Sequence, residues 1–587
     1  MLTDVDFSMY GIYNEADKKL VIKFLESRNI TTPAQVEQVF NPSADDESDI
    51  MQAKDATLWM SKLFDLSNTV ITIVGDYDGD GIMASTVARQ GLAALGVGTV
   101  LHQYVPVRED GYGLSAVSVD KLMETYPDTQ TILTVDNGVV AYDGVKRAKE
   151  CGLHVLVTDH HLGADKATEA DAVVDINRPD DEFAFKGLSG TAVIWKLLLA
   201  YAKTVASPQV VAFINNMSDY VGISTVTDIM PVRGENRYYI KQALSSINER
   251  KRYQWHALFE SMANHKKQEG KRMVDGPYDE EFIGFTLGPM LNAVGRVTGS
   301  PEIAYKFFQT EDYSEMLAYA DQLYEINKLR QDEVKRFTAM AEDLYQGKAV
   351  PNAVLVALPL KIGYAGLVAA KLEEAFNAPV LVAGGTRGIV HGSARSPHWF
   401  DLVGAMQTLQ DEGLLLQFGG HAAAAGFTID TQYVNVAQQR LQEIAQETLA
   451  TMPLDEKPSE SVGKPDIDIR LEEQFAQKPQ VATDTGLTGG DDLMELADML
   501  NKMAPFGEGF RAPMVRVTDV NFNDAFRMGN EKQHAKVAYG DLSVIAWNVP
   551  NEWDRPVSVY GRLSINKFTN YRKQTIITPQ VIANKIV

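Results

Sequence analysis

Apolar and polar positions alternate in blocks through residues 66–231, and this pattern predicts a parallel α/β domain. Four runs of apolar or β-branched residues have the length and composition of buried strands: 70–74, 131–135, 153–157 and 172–176. Helical spacing follows the first run, over 82–95. Strands that alternate with helices pair in parallel, because the helix carries the chain back across the sheet. We therefore expect a parallel sheet with crossover helices.

The predicted strands end in residues that carry acids or histidines. Asp76, Asp78 and Asp80 follow the first strand, Asp136 follows the second, and Asp159, His160 and His161 follow the third. Alternate residues of extended backbone point the same way, so we expect the first three carboxylates on one side of a loop. The carboxyl ends of parallel strands meet at one sheet edge, where ligands bind in open α/β folds. One Asp after a strand is commonly a helix N-cap, but the whole set predicts a site.

A further carboxylate, Asp228, lies in the apolar run 223–231 and needs a cation or a hydrogen-bond partner if it is buried. Carboxylates packed together raise one another's pKa unless a cation lies among them. Oxygen ligands with imidazole and no thiolate favour a pair of Mn²⁺ or Mg²⁺ ions over structural zinc. Residues 76–81 also resemble the start of an EF-hand loop, but its twelfth position is Val87 instead of Glu, and a strand precedes it.

The rest of the chain extends the predicted fold class to two α/β domains, a helical connector and a C-terminal β-barrel. Residues 1–65 form a helical lead-in with turns at Pro33 and Pro42, and residues 232–345 form a charged helical connector, with one long helix or two in line over 311–345. A second α/β domain, again with a parallel sheet, occupies 346–450, and 451–495 is a linker that contains prolines. Short alternating strands over 496–587 predict a small barrel of the OB-fold type.

Aromatic and basic residues mingle in the predicted barrel, as an OB-fold that binds single-stranded nucleic acid requires. Aromatic rings stack on unpaired bases, while Arg and Lys follow the phosphate backbone. The candidates for strand binding are Trp547, Arg562, Phe568, Tyr571 and Arg572. We expect many of the other aromatic residues in this segment to form the barrel core.

Composition restricts the remaining function classes. The net charge of −23 excludes nucleic-acid binding over the whole surface, although it allows a single basic groove. No stretch has the length and apolarity of a membrane span, and the first residues carry acids where a secretory signal carries bases. The single cysteine, Cys151, cannot form an internal disulfide. These features predict a cytoplasmic protein without membrane association.

Four short motifs are similar, in order and spacing, to the phosphoesterase motifs of the DHH family. They are DYDGDG at 76–81, VDNG at 135–138, DHH at 159–161 and TD at 227–228. Four further segments resemble the RecJ family of single-strand-specific exonucleases within that group: PVREDGYGL at 106–114, LGPMLNAVGR at 287–296, GSARS at 392–396 and GGHAAAAG at 419–426. The resemblance extends over residues 70–585.

The resemblance implies a 5′→3′ exonuclease that hydrolyses single-stranded DNA with two metal ions, releases 5′-mononucleotides and acts in DNA repair and recombination. It implies that the metal ligands are Asp76, Asp78, Asp80, Asp136, His160 and Asp228, and that Asp159, His160 and His161 form the catalytic motif. It assigns contacts with the 5′-phosphate or the DNA backbone to Arg108, Arg296, Ser393, Arg395, Gly419, Gly420 and His421. The expected partners are single-stranded DNA with a 5′ end and a single-strand-binding protein or helicase, and the expected state is a monomer.

The chain departs from the RecJ pattern at Met290, where Arg is usual, and at Thr298 and Gly299, where a pair of Asp residues is common. These departures concern phosphate contacts near Arg296 and leave the metal motifs intact. Two other functions are compatible with the DHH resemblance: a phosphodiesterase for short oligonucleotides or cyclic dinucleotides, and a catalytically dead replication scaffold. Small substrates need no strand-binding barrel, and a dead scaffold needs no complete set of acids, so the exonuclease is favoured.

Overall fold

The computed structural model contains three β-sheets that are joined and covered by helices. It describes residues 2–586 apart from 14, 45–48, 107–112, 164–165, 272, 274–275, 345–351, 453–468, 472–489, 530–531, 540–541, 548, 551–552, 554 and 570–574. The predicted α/β, connector and OB-type segments follow one another in the expected order.

The N-terminal segment is helical in its described part. It contains α1 (Glu15–Ser27), α2 (Pro33–Phe40) and α3 (Ala56–Asp65). Pro33, predicted in a turn, is instead the first residue of α2, a position where its missing N–H costs no helical hydrogen bond. Thr32 caps this helix and exchanges hydrogen bonds with Gln35, so the polar pair around the proline marks a helix start.

The first sheet is parallel throughout, as predicted. Its strands are β1 (Val70–Val74), β2 (Val100–Tyr104), β3 (Thr131–Val135), β4 (His154–Asp159) and β5 (Ala172–Asp175). The strand order is β2-β1-β3-β4-β5, so the chain changes direction across the sheet between β1 and β3. In doubly wound sheets the ligand crevice opens at this switch point, beyond the carboxyl ends of the strands. The prediction missed β2, an edge strand whose residues are all at least partly exposed.

Helices cover both faces of this sheet. They are α4 (Gly79–Leu95), α5 (Ala116–Thr125), α6 (Tyr142–Glu150), α7 (Gly190–Val205), α8 (Pro208–Asn215) and α9 (Ser218–Thr227). The large core with α4, α7 and α9 contains Ile71, Ile73 and Leu133, while the smaller core with α5 and α6 contains Ile132 and Val155. Alternate residues of each strand therefore supply opposite faces, which explains the continuous apolar runs in the sequence.

The connector is entirely helical in the part that the structure describes. It contains α10 (Glu235–Asn248), α11 (Tyr253–Gln268), α12 (Glu280–Phe282), α13 (Gly288–Thr298), α14 (Glu302–Gln309) and α15 (Tyr313–Asp343). A π-turn at Ile283–Leu287 joins α12 to α13, and the resulting segment is called the 280–298 helix below. The sequence allows one long helix or two helices in line over 311–345. The structure has a single helix there, α15, which contains 31 residues and is about 46 Å long.

The second α/β domain contains β6 (Val354–Leu358), α16 (Ile362–Phe376), β7 (Val380–Gly384), β8 (Ile389–Arg395), α17 (Leu402–Asp411), β9 (Gln417–His421), β10 (Ala424–Asp430) and α18 (Val434–Thr451). Its sheet has the order β6-β7-β8-β10-β9. Only β6 and β7 pair in parallel, whereas the pairs β7-β8, β8-β10 and β10-β9 are antiparallel. The expected parallel arrangement therefore holds only for the part connected by the crossover helix α16, because antiparallel neighbours need no crossover.

The C-terminal sheet is mixed and has seven strands. After β11 (Ile469–Leu471) and α19 (Gly490–Lys502) come β12 (Met514–Val520), β13 (Phe526–Met528), β14 (His534–Tyr539), β15 (Leu542–Ala546), β16 (Val557–Thr569) and β17 (Thr575–Ile586). The order is β11-β12-β16-β17-β15-β14-β13. The predicted linker therefore supplies an edge strand, β11, while most of its other residues lie outside the described part of the chain.

The N-terminal segment shares one core with the C-terminal sheet. Phe7, Val21 and Phe24 belong to the same buried cluster as Phe510 and Val515. The rings of Phe24 and Phe510 meet edge to face, with centroids 5.8 Å apart. The predicted lead-in is thus part of the C-terminal domain's packing. Among the residues that the structure describes, no helix combines the length and apolarity that a membrane span requires.

An ion pair joins the C-terminal sheet to the connector. Arg562 of β16 places Nη1 3.2 Å from Oε1 of Glu280 and 2.9 Å from Oε1 of Glu281. The side chains of Arg562 and Glu280 are only 18% and 6% exposed, whereas that of Glu281 is 52% exposed. Burial raises the pKa of Glu280, and the charge of Arg562 opposes this effect. The Arg562 guanidinium therefore compensates a carboxylate that has lost its water.

We expect Arg562→Ala to lower the free energy of unfolding by about 3 to 5 kcal/mol, because it leaves the buried Glu280 carboxylate without a cation. The control Glu281→Gln removes only the exposed partner and should cost less than about 1 kcal/mol. Chemical denaturation followed by circular dichroism compares the two variants. Equally small effects would show that this ion pair does not hold the C-terminal sheet on the connector.

Candidate metal centre

The ends of β1 and β3 form the floor of the site. Asn137 fixes them to each other, since its Nδ2 donates to the carbonyl oxygens of Val74, 3.0 Å away, and Val135, 2.9 Å away. Asp76 follows β1 and is buried, and its carbonyl oxygen accepts a hydrogen bond of 2.9 Å from the Tyr305 hydroxyl. The loops after the two strands are thereby held in a fixed relation.

Asp78 and Asp80 lie at the start of α4, which corrects the expectation that they belong to an extended loop. Asp78 is the N-cap of the helix, and its Oδ1 accepts a hydrogen bond of 3.1 Å from the N–H of Gly81. Asp80 lies in the first helical turn. A Cβ at Gly81 would lie 2.6 Å from the backbone of Asp76, so the close approach requires glycine. An Asp N-cap and the helix dipole both favour negative charge here, which is why the helix begins within the motif.

Four hydrogen bonds fix the buried Asp80 carboxylate. The donors are the N–H groups of Gly190 and Thr191, at 2.8 and 2.9 Å, and the hydroxyls of Thr191 and Ser224, both at 2.6 Å. They belong to α7 and α9, which are distant from Asp80 in sequence. Donors of this kind stabilise a negative charge and set its direction. The packing of α7 and α9 on α4 therefore determines where this carboxylate points.

Asp136 begins the loop after β3 in left-handed backbone, with φ +60°. This conformation is uncommon for most residues but accessible to Asp and Asn. Its buried Oδ1 has no hydrogen-bond partner in the described part of the chain, and a Cβ at Gly190 would lie only 2.4 Å from it. Burial, followed by the charges of Asp80 and Asp78, raises the pKa of Asp136 well above its usual value. A cation is the partner that such an oxygen lacks.

His160 faces three carboxylates. Its Nε2 lies 3.2 Å from Oδ1 of Asp136, 3.4 Å from Oδ2 of Asp228 and 3.6 Å from Oδ2 of Asp80. Nε2 is buried and has no hydrogen-bond partner among the described residues. Burial lowers the pKa of His160 and favours the neutral ring that binds metal ions.

Asp159 orients its neighbours. Its Oδ1 accepts hydrogen bonds of 2.7 Å from both Nδ1 of His161 and the N–H of His160, and its Oδ2 accepts one of 2.9 Å from the N–H of Val139. Burial raises the pKa of Asp159, but the hydrogen bond and charge of His161 outweigh it, so that the pKa is lowered. Burial likewise lowers the pKa of His161, but Asp159 dominates and raises it to about 9. The pair is therefore a carboxylate with an imidazolium.

Asp228 closes the site from the end of α9, where it is the C-cap residue. Its side chain is 27% exposed, the most accessible of the carboxylates that face His160. Burial, followed by the charges of Asp80 and Asp78, raises its pKa to about 8. The next residue, Ile229, has left-handed backbone with φ +56°, which is strained for a β-branched side chain. The chain therefore turns sharply directly after this ligand candidate.

The six predicted metal ligands come together in overlapping sets whose donor atoms lie within 4.8 Å of one another. These sets are Asp76, Asp78 and Asp136; Asp80, His160 and Asp228; and Asp136, His160 and His161. The first two share no residue, yet they touch where Nε2 of His160 lies 3.2 Å from Oδ1 of Asp136. Oδ1 of Asp136 and Nε2 of His160 are both buried without a hydrogen-bond partner among the described residues, and they are the two atoms at this contact. Oxygen donors with imidazole fit Mn²⁺ or Mg²⁺, and the two disjoint sets fit a pair of ions.

Three of the predicted phosphate-binding residues lie around α16. Nη1 of Arg296 donates to the carbonyl oxygen of Gly363 over 3.4 Å, and Nη1 of Arg395 donates to Oγ of Ser393 over 3.0 Å. A Cβ at Gly366 would lie 3.1 Å from both Nη2 of Arg395 and Oγ of Ser393. Nη1 of Arg395 also donates to the carbonyl oxygen of Ala394 over 2.7 Å, and burial lowers the pKa of Arg395, which has no carboxylate at ion-pair distance within the described ranges. Arg395 is therefore available to an anion.

The other phosphate candidates are placed differently. Gly419, Gly420 and His421 form the exposed strand β9, which pairs with β10. Arg108 lies outside the described residues. Met290, where the RecJ pattern usually has Arg, is buried in the core around α13, so its side chain is not available for a phosphate contact.

The residues predicted to bind the strand in the barrel also differ in their structural positions. Trp547 is 51% exposed, whereas Arg562 forms the ion pair with Glu280 and Glu281 and so connects domains instead of lining a strand path. Phe568 lies in β16, but its side chain is not described, and Tyr571 and Arg572 lie outside the described residues.

Trp547 belongs to a wider surface that the register of β13, β14 and β15 defines. Phe526 pairs with Lys536, Met528 with His534, and Lys536 with Ile545, so these side chains share one face, while the alternating Ala535, Val537, Val544 and Ala546 are buried. Phe526 is 72% exposed, and the ring of Trp547 lies edge to face with His534 at 4.9 Å. We call Phe526, His534, Lys536 and Trp547 the aromatic face.

The residues that hold the ligands in place were missed from the sequence: Asn137, Ser189, Gly190, Thr191, Ser224, Asn292 and Tyr305. Asn137 and Asn292 lie within quoted motifs but were given no role, although Oδ1 of Asn292 accepts a hydrogen bond of 2.6 Å from the N–H of Gly79. Ser189 caps α7, so a Ser-Gly-Thr helix start was the available signal there. Nothing near Ser224 or Tyr305 in sequence indicates their contacts with Asp80 and Asp76.

Three family models match the chain, one for each of the two α/β domains and one for the C-terminal domain. The N-terminal domain of the DHH family matches residues 70–222, the DHHA1 domain matches 361–449, and the RecJ OB domain matches 483–578. The first covers the metal cluster apart from Asp228, the second covers Ser393 and Arg395, and the third covers the aromatic face. The three matches thus follow one another along the chain in the same order as the metal cluster, the phosphate-binding candidates and the aromatic face.

Similar proteins agree with these matches. The chain is 29% identical over 551 residues to the single-stranded-DNA-specific exonuclease RecJ of Salmonella typhimurium, covering 87% of both proteins. It is 29% identical over 524 residues to the protein of the same name in Bacillus subtilis, but the match spans only 60% of that longer protein. The Mn²⁺ complex of RecJ from Thermus thermophilus has a TM-score of 0.74 at 23% identity over 99% of this chain and 78% of that one, which shows a common fold. The chain therefore contains, in this order, matches to the DHH, DHHA1 and RecJ OB domains, and it is similar to RecJ along most of its length.

We expect Asp136→Asn to weaken divalent-metal binding, because it removes a ligand from one of the two sets, and to make the metal-free protein more stable. The amide removes a charge from a buried cluster of like charges, while Asn tolerates the left-handed backbone. Thermal unfolding with and without Mn²⁺ measures both effects, because a ligand that binds the folded state raises the unfolding temperature. The exposed Asp143→Asn in α6 should keep the full Mn²⁺ response. A metal-free Asp136→Asn protein that is less stable than wild type would contradict the expectation.

Proposed function

We propose that the chain is a single-stranded-DNA-specific exonuclease that works from the 5′ end and releases 5′-mononucleotides by hydrolysis with two Mn²⁺ or Mg²⁺ ions. The observation that carries this proposal is the pair of disjoint ligand sets that meet at Asp136 and His160. Bound together, two divalent ions activate a water molecule and stabilise the attacking and leaving oxygens of an in-line displacement at phosphorus. DNA repair and recombination, in the cytoplasm of the cell, are the setting that this activity fits.

The protein's own groups complete the reaction site. Asp159 holds His161 through Nδ1, so Nε2 is the nitrogen that meets a phosphate oxygen. Because the pKa of His161 is about 9, the ring carries a proton at neutral pH and donates it in a charge-assisted hydrogen bond. Thr191 and Ser224 hold the Asp80 carboxylate, and Asn137 holds together the ends of β1 and β3, which keeps the geometry of the site unchanged as charge develops.

Degradation of labelled oligonucleotides tests the proposed function. Wild type with Mn²⁺ or Mg²⁺ should shorten linear single strands from the 5′ end and leave circular strands intact. Asp136→Asn should lose cleavage while still binding the strand, because the metal ligands serve chemistry and the other domains serve affinity. Cleavage of cyclic dinucleotides alone would favour the small-substrate phosphodiesterase, and binding without any cleavage would favour the scaffold.

The direction of attack rests on capture of the terminal phosphate by Arg296, Ser393 and Arg395. Arg395 is a partly buried guanidinium without a carboxylate partner in the described part of the second domain, and it is already held beside a hydroxyl. A guanidinium and a hydroxyl together bind a phosphate dianion through charge-assisted hydrogen bonds. A strand whose 5′-phosphate is bound there presents its first phosphodiester bonds to the rest of the groove, so the end becomes the starting point.

We expect Arg395→Ala to slow cleavage of 5′-phosphorylated strands by roughly ten- to hundredfold, the value of one or two charged hydrogen bonds. Strands with a 5′-hydroxyl should be affected much less, since they lack the group that Arg395 binds. Initial rates on the two substrates measure the difference, with the exposed Arg387→Ala of the same domain as control. A loss that is equal on both substrates would contradict end capture.

The aromatic face provides the surface for the more distant part of the strand. Phe526 and Trp547 present exposed rings, and Lys536 lies between them in the strand register with a charge for the phosphates. Unpaired bases stack on such rings without regard to sequence. A single-strand-binding protein or a helicase would reach the same strand beyond this face, and we propose that the chain itself acts as a monomer.

We expect the double variant Phe526→Ala and Trp547→Ala to bind long single strands roughly ten- to hundredfold more weakly, because stacking contributes about 1 to 3 kcal/mol per base. Hydrolysis of oligonucleotides too short to reach the face should not change. Fluorescence anisotropy and single-turnover rates give the two readings, with Tyr253→Ala as an equally exposed aromatic control. Equal losses on short and long strands would show that these rings do not serve binding.

A further inference from the structure

The 280–298 helix lies against three functional regions in succession. At its start, Glu281 contacts Arg562 of the C-terminal sheet. In its middle, Asn292 accepts the hydrogen bond from Gly79 of the metal loop. At its end, Arg296 contacts Gly363 of the second domain. Position along this helix therefore corresponds to position between the C-terminal sheet and the phosphate-binding residues of the second domain.

One side of this helix faces the metal loop. A Cβ at Gly288 would lie 2.7 Å from Thr227 of α9, and a Cβ at Gly295 would lie 2.9 Å from the carbonyl oxygen of Tyr77. With Asn292, these residues are spaced by four and three positions, which is the spacing of one helix face. Thr227 in turn lies 2.9 Å from the place of a Cβ at Gly79. The face is thus packed directly on the residues that carry the ligands.

Phe285 lies about one turn before Gly288, towards the end of the helix that contacts the C-terminal sheet. It lies three residues before Gly288 and four after Glu281, within the π-turn. Its side chain is 79% exposed, whereas Ile283 and Leu287 on either side of it are buried. The π-turn is the irregularity that lets these two pack inwards while Phe285 stays outside, and such turns are rare and concentrate at functional sites.

A second exposed apolar side chain lies at the same rim. Ile229 is 70% exposed and follows Asp228 in strained left-handed backbone. A Cβ at Gly284 would lie 3.6 Å from Val226, so the residue before Phe285 packs on the end of the helix that Ile229 follows. Two exposed apolar groups held by two irregular backbone segments beside Asp228 are not a feature that folding requires.

We infer that Phe285 is a base-stacking residue that holds a nucleotide of the substrate strand between the metal centre and the C-terminal sheet. The inference rests on the proposed function and adds a specificity residue to it. The ring lies roughly 10 Å along the helix axis from Asn292, at 1.5 Å per residue. It therefore meets the strand on the side away from the 5′-phosphate pocket and takes the flat face of an unpaired base, which a duplex does not offer. Ile229 provides the apolar rim beside it.

Binding of strands with single abasic positions tests this assignment. Short 5′-phosphorylated oligonucleotides, each lacking one base at successive positions, are titrated by fluorescence anisotropy in chelator, so that no cleavage occurs. Wild type should lose roughly tenfold in affinity when one particular position near the 5′ end is abasic, the value of a single stacked base. Phe285→Leu should bind the intact strand about tenfold more weakly and should be indifferent to the abasic site at that position. Phe285→Tyr should retain the wild-type profile.

The control variant is Phe64→Leu in α3, which makes the same change at another exposed ring and should leave the whole profile unchanged. If Phe285→Leu keeps the position-dependent loss of wild type, the inference is overturned while the exonuclease proposal stands. If wild type neither binds nor degrades single strands, the proposed function fails first and the inference falls with it. Circular dichroism melting of Phe285→Leu should match wild type, because the ring is outside the core.

Discussion

Repulsion among buried carboxylates is the constraint on which the structure depends. Asp76, Asp80 and Asp136 are buried within a few ångströms of one another, and the pKa of Asp136 is raised accordingly. Such a cluster persists only where donors and rigid backbone hold it. The donors from α7 and α9 to Asp80, and the Asn137 contacts between β1 and β3, provide that support. Metal ions then find ligands that cannot move apart to relieve the repulsion.

The 280–298 helix connects the metal centre to the two neighbouring domains in a fixed order. Glu281, Asn292 and Arg296 contact the C-terminal sheet, the metal loop and the second domain in turn. A rigid helix fixes the spacing of these contacts, since its rise per residue is constant. With the end capture that we propose, cleavage at a fixed distance from the bound end follows from such a spacing, because one element positions both the end and the reactive phosphate. The Arg562 ion pair matters in the same way, as it sets the register of the C-terminal sheet on the helix.

The sequence predicts the parts of the site that local pattern determines. Buried strands that end in acids indicated the sheet edge, and the family motifs added the particular ligands, all six of which the structure brings together. The position of Asp80 on a helix was missed because N-capping by Asp78 overrides the alternation of an extended loop. The contacts of Ser224, Tyr305 and Arg562 bridge long distances along the chain and depend on packing, so no local pattern contains them. Arg562 was predicted to bind the strand, but it forms an ion pair with Glu280 and Glu281, and a basic residue among aromatic residues is equally typical of either role.

Preference for single strands follows from how an acidic protein holds a polyanion. With a net charge of −23, long-range attraction to the whole protein cannot supply the affinity. Stacking on aromatic rings needs no positive charge, and Phe285, Phe526 and Trp547 present exposed rings. A base pair in a duplex already has both faces covered by its neighbours, so these rings gain nothing from it. Affinity that comes from base faces instead of phosphates therefore selects the unpaired strand before any chemistry occurs.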